Sequence, residues 1–165
     1  MPNNQEPYVR QNHMTPKVDS AVQCFSDGFN CAQAVFSTYA PQMGIDRDDA
    51  LRIATPFGAG MGRLQEVCGA VTGALMVIGC RHGMTRASDT GVREEAYAMV
   101  KGFTRRFCHL HGSISCRQLL GCDLNTEEGR NEFKSKNLGK EKCTEYVRDA
   151  SRLLEEMGTW PDPEK

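Results

Sequence analysis

The stretch QEVCGAVTGALMVIGCRH, residues 65–82, is apolar on nearly every side when wound as an α-helix. A helix without a polar face belongs at the centre of a bundle. Its longest apolar run, Val67 to Cys80, is broken by Gly69, Thr72, Gly73 and Gly79, and it falls short of the roughly 20 residues that span a bilayer. The segment therefore reads as a core helix and gives no membrane span. Gly69, Ala70, Gly73 and Ala74 set small residues at i, i+1, i+4 and i+5. That stripe lets another backbone approach closely, from the same chain or from a second copy in a homodimer, or leaves room beside it for a cofactor.

Working outward, Val92, Ala96, Met99, Phe103 and Phe107 mark one face of a long amphipathic helix, with Arg93, Glu94, Glu95, Arg105 and Arg106 solvated. Cys143, Val147, Ala150, Leu154 and Met157 mark a final one. On the N-terminal side, Val18, Ala21, Val22 and Phe25 predict a short helix ended by Gly28. A second runs from Cys31 toward Tyr39 and stops near Pro41 and Gly44, and a third lies around Ala50 to Ala54 after Asp46 or Asp48. Pro56 with Gly58, Gly60 and Gly62 predicts a flexible loop. Cys116 to Leu120 is a short segment, and Thr126 to Asn137 is a polar stretch. Alternating β-branched residues are almost absent, so the fold is expected to be all-α, a compact helical bundle around the central Gly/Ala-rich helix. Residues 1–15 read as a disordered lead-in, 16–158 as a single cysteine-rich domain and 159–165 as a loose tail. No internal repeat appears.

The 165 residues carry 20 Lys and Arg against 21 Asp and Glu, so no basic field exists to hold nucleic acid. The polar N-terminus has no apolar h-region, which points to a cytoplasmic protein. Eight cysteines are the unusual feature. A chain of this size with 39% hydrophobic residues needs no disulfide staples, so such density turns attention to thiol redox chemistry or metal binding. Position separates the eight into two groups. Asn30 with Gln33, and Ser115 with Gln118, form capping-box patterns that put Cys31 and Cys116 in first helical turns. Cys68 opens the core helix and Cys143, beside Lys140 and Lys142, opens the last. A helix N-terminus offers unpaired N–H groups and partial positive charge, which favour the thiolate that attacks disulfides and binds metals. Cys24, Cys80, Cys108 and Cys122 lie inside helices or at their ends and read as structural or auxiliary.

NCAQAVF (30–36), PFGAGMG (56–62), CGAVTG (68–73), CRQLLGCDL (116–124) and a later isolated cysteine, in that order, resemble the C-GCAxxG-C-C family, a set of proteins described as redox-active. The resemblance covers about Ser20 to Leu154. It places the family's cysteines on Cys31, Cys68, Cys116 and Cys143, and implies redox activity without a defined substrate. A related cysteine domain in split-Soret cytochromes c adds a hint of electron transfer, but no C-x-x-C-H is present here, which excludes covalent c-type haem. Two chemistries stay open. A pair of the thiols cycles between dithiol and disulfide with a redox partner protein or a small thiol or disulfide, making the chain a possible oxidoreductase. In the other, the four hold an iron–sulfur cluster or zinc with a structural or sensing role. The spacings of 37, 48 and 27 residues contain no C-x-x-C pair, so the tertiary fold must assemble the site.

Other motifs carry less. Cys108, His109, His111 and Cys116 mix metal-binding types within nine residues, but His109 and His111 point about 200° apart on a helix. Gly58-x-Gly60-x-Gly62 follows a helical segment and no ribose-binding acid stands near position 80, which discounts a dinucleotide loop. Neither G-x-S-x-G nor H-E-x-x-H occurs. Met43, Met61, Met76, Met84 and Met99 read as core filler.

Overall fold

Short polar side chains cap five helices in the computed structural model of the protein, which describes residues 15–158. Thr15 caps α1 (Pro16–Ser26), its hydroxyl accepting the Val18 N–H at 3.3 Å. Asn30 caps α2 (Cys31–Tyr39) through a complete capping box with Gln33. Asp46 caps α3 (Arg47–Ala54), accepting from the Asp48 N–H at 2.8 Å. A helical turn, α4 (Gly58–Met61), precedes the core helix α5 (Gly69–His82) and the long α6 (Thr90–His111). Ser115 caps the short α7 (Cys116–Leu120), and Thr126 caps α8 (Glu127–Ser135). The last helix, α9 (Thr144–Glu156), grows out of a π-type turn over Gly139–Cys143. The all-α reading holds: the described residues form helices with no strand. None of these helices is long and apolar enough to cross a membrane.

Helix α5 is buried on almost every side, and α2, α6 and α9 pack around it while α1 closes over α2 and α9. Its small residues are used within the chain. A Cβ on Gly73 would lie 2.8 Å from the Ala32 carbonyl oxygen and 3.1 Å from the Val35 Cβ, so α2 lies directly against this helix. The stripe is thus an internal seam, and the surface it offered to a second copy is already covered. Phe103 and Phe107 of α6 and Val147, Ala150, Leu153 and Leu154 of α9 complete the core. Full burial of each such large side chain is worth about 1.5–3 kcal/mol against its exposure. Met43, Met76 and Met99 pack on this core as expected, whereas Met84 is exposed.

Three expectations change. The core helix starts at Gly69 and not near Gln65, because residues 65–67 run against α7 instead: Val67 bridges Ser115, and the Cys68 N–H donates to the Ile114 carbonyl at 2.7 Å. The loop expected to be flexible is a left-handed turn. Ala59, Gly60, Met61, Gly62 and Arg63 all have positive φ, and the Gly62 N–H reaches back to the Gly58 carbonyl at 2.9 Å. The polar stretch after Thr126 contains α8, which buries only Gly129 and so has no apolar stripe to announce it. Thr15, the last residue of the expected lead-in, caps the first helix; residues 1–14 and the expected tail from 159 onward lie outside the described residues.

Candidate functional site: a four-cysteine cavity

Cys31, Cys68, Cys116 and Cys143 line one cavity of about 160 Å³, walled otherwise by apolar side chains such as Phe25, Leu119, Leu124 and Phe133, together with Asn30 and Tyr146. All four are free thiols. Three interlocking devices bring them together. The capping box fixes Cys31: Asn30 accepts the Gln33 N–H at 2.9 Å, and the Asn30 amide donates to the Thr55 carbonyl at 3.0 Å, tying the start of α2 to the end of α3. The short bridge fixes the next pair, since the Cys116 N–H donates to the Glu66 carbonyl at 2.7 Å on the same ladder that holds Cys68. The π-type turn sets Cys143, and the Tyr146 hydroxyl, one turn on, donates to the Leu119 carbonyl at 3.0 Å.

Backbone shape completes the enclosure. A Cβ on Gly69 would run into the Cys31 sulfur, and one on Gly60 would lie 2.7 Å from both the Cys116 Cβ and the Gln65 Cα. The left-handed turn passes so close to Cys116 that only glycine fits at position 60. Three of the turn's other members are Ala59, Met61 and Arg63, for which this conformation costs roughly 1–2 kcal/mol each. In return the turn aims the Ala59 N–H at the Cys31 sulfur. Gln65, also left-handed and buried, donates to the Cys122 carbonyl at 2.9 Å and accepts the Leu124 N–H at 2.8 Å, which locks the segment after α7 onto the same wall.

The four thiols are chemically unequal. The Cys68 thiol donates to the Cys31 sulfur, and the N–H groups of Ala59, Ala32 and Cys31 itself outweigh burial, so the Cys31 pKa falls to about 7. Cys68 moves the other way, held protonated by the bond it makes to Cys31, by burial and by the Cys31 charge. Burial first and the Cys31 charge second push Cys116 up to about 12, and the same two causes bring Cys143 to about 12. Near neutral pH Cys31 is therefore about half ionised, while Cys68, Cys116 and Cys143 stay protonated. The helix N-terminus argument favours Cys31 as expected, but it does not lower Cys116 or Cys143, where desolvation wins.

The remaining cysteines divide. Cys24 is buried beside Ser37 and Arg47, Cys80 is exposed, and Cys108 borders a separate surface hollow with Lys101 and Thr104. Cys122, read as auxiliary, packs in the small cluster of Cys116, Leu120, Leu124 and Leu138 and so backs the site. The mixed group of Cys108, His109, His111 and Cys116 is dispersed, with His109 exposed and Cys116 in the cavity. A single tetrahedral zinc would draw its sulfurs to within about 4 Å of one another. Among the described residues the only three potential ligands within 4.8 Å are His111, Glu145 and Asp149, so the cysteine sulfurs as arranged do not fit one zinc. Four cysteine sulfurs around a common cavity do match the donor set of an iron–sulfur cluster.

Residues 29–157 match the model of the C_GCAxxG_C_C family, whose description reads "Putative redox-active protein (C_GCAxxG_C_C)". No curated protein and no solved structure matches the chain.

Proposed function

The chain belongs to the C_GCAxxG_C_C family, and from that premise we propose that its four-cysteine cavity exchanges two electrons with a small disulfide through Cys31 and Cys68. The observation that carries this reading is that Cys31 and Cys68 line one cavity as free thiols, with the Cys31 pKa brought down to about 7 chiefly by its neighbour Cys68. Cys31 thiolate attacks one sulfur of R–S–S–R, forms a mixed disulfide and releases RS⁻. Cys68 then gives up its proton and attacks the Cys31 sulfur, closing a Cys31–Cys68 disulfide and expelling the second thiolate. One RS⁻ and one RSH leave, and the protein has lost two electrons. The burial of Cys31 and Cys68 favours a small oxidant over a protein disulfide, and a reducing cytoplasm suits a resting dithiol.

The convergence of four cysteines on one cavity supports a second reading, in which Cys31, Cys68, Cys116 and Cys143 hold an iron–sulfur cluster that supplies one-electron transfer. Protein purified without oxygen separates the two when iron, zinc and acid-labile sulfide are assayed beside a count of reactive thiols. Metal-free protein in which two thiols oxidise reversibly is the result expected for the dithiol. Iron with sulfide, and a visible band lost in Cys68→Ser, overturns it in favour of the cluster.

A further inference from the structure

A second group of donors lies between the C-terminal end of α6 and the start of α9, behind the wall that Tyr146 gives to the cavity. His111 Nε2 stands 3.1 Å from Asp149 Oδ2, with side chains only 5% and 6% exposed. Glu145, one turn before Asp149, brings a carboxylate oxygen within 4.8 Å of both. At 3.1 Å a buried histidine and a carboxylate ordinarily share a hydrogen bond. Here His111 Nε2 is sealed from solvent and makes no hydrogen bond.

That separation without a hydrogen bond is what a shared cation produces. Metal–nitrogen and metal–oxygen bonds of about 2.0–2.2 Å, meeting at a metal on the ring nitrogen's lone pair, set the two ligand atoms roughly 3.0–3.4 Å apart. The ring is held for it: Phe107 packs at 4.6 Å and Tyr146 meets it edge-on at 4.9 Å. Arg152 Nη2 contacts the other Asp149 oxygen at 3.1 Å, the outer contact that orients a ligating carboxylate. Two carboxylates and an imidazole supply the nitrogen–oxygen donor set of a divalent first-row cation, and no soft sulfur. We propose that His111, Glu145 and Asp149 bind one such cation, Mn²⁺, Fe²⁺ or Zn²⁺, at a site separate from the four cysteines.

Mn²⁺ is the probe of choice, since thiolates hold it weakly while imidazole and carboxylate suit it. Reduced, metal-stripped full-length protein is titrated with Mn²⁺, and the loss of the free-ion EPR signal is followed. One ion per chain is expected, bound equally by the Cys31→Ser/Cys68→Ser variant and at least tenfold more weakly by His111→Gln and by the half-buried Glu145→Gln. No uptake by the wild type, uptake unchanged in Glu145→Gln, or uptake lost in the cysteine variant each overturns the site. Because Glu145→Gln reads the site without touching the buried His111, a folding defect in the histidine variant does not shield the proposal. Neither result bears on the Cys31–Cys68 couple.

Discussion

Cys31 is the reactive thiol because several donors converge on one sulfur: the Cys68 thiol and the N–H groups of Ala59, Ala32 and Cys31. Thiolate reacts and thiol does not, so the rate of iodoacetamide labelling at Cys31 is expected to rise with pH through a midpoint of about 7. Cys116 and Cys143, pushed to about 12 by burial, label slowly across that whole range, as peptide mapping of the alkylated sites would record. The donor thiol can be removed separately. Cys68→Ala takes away the largest cause of the shift and moves the Cys31 midpoint upward, whereas Cys68→Ser keeps a hydroxyl donor and retains part of it. Equal midpoints in the two variants would deny that the hydrogen bond sets the Cys31 charge.

At the scale of elements, the seam between α2 and α5 decides whether the site is assembled. Gly69→Ala drives a methyl into the Cys31 sulfur, and Gly73→Ala drives one into the Ala32 carbonyl. Overpacking of this kind costs about 1–3 kcal/mol, read as a lower urea midpoint. Gly79→Ala, in the same helix with nothing within 4 Å of its added Cβ, has the opposite sign, a gain of about 0.4–1 kcal/mol from reduced unfolded-state freedom. Much of this level was legible in the sequence, since caps at Asn30, Asp46 and Ser115 and the all-round apolar α5 each follow from local rules. Helix α8 was not, because with only Gly129 buried it has no periodic stripe. The left-handed turn was not, because Ala59, Met61 and Arg63 adopt a conformation that their own propensities oppose and only the tertiary fit against Cys116 enforces. Nor was the inequality of the four thiols, for helix position showed the donors at each N-terminus but not the desolvation that overrides them at Cys116 and Cys143.

Over the whole molecule, the thiols tie stability to pH. Cys31 falls from an ordinary 9.0 to about 7 on folding, so its contribution is present above the ordinary thiol range and is lost as pH falls through about 7. Cys68, Cys116 and Cys143 are raised, so their contributions hold below pH 9 and fade as pH climbs beyond it. Stability from these groups should therefore climb from pH 7 to 9, by at most about 1.4 kcal/mol per unit, and decline above. Urea unfolding of reduced protein tests this, with the rise flattened in Cys31→Ser. The convergence of cysteines 37, 48 and 27 residues apart on one cavity is a property of this scale alone, as no local pattern links them. It is also where the functional claim is tested most directly. Reduced protein is oxidised by a small disulfide, quenched by alkylation and mapped by mass spectrometry. If Cys31 and Cys68 are the couple, two thiols per chain disappear into one Cys31–Cys68 disulfide that dithiothreitol reverses, and a mixed disulfide on Cys31 accumulates in Cys68→Ala. A disulfide joining any other pair, or four thiols that stay unoxidised, contradicts it.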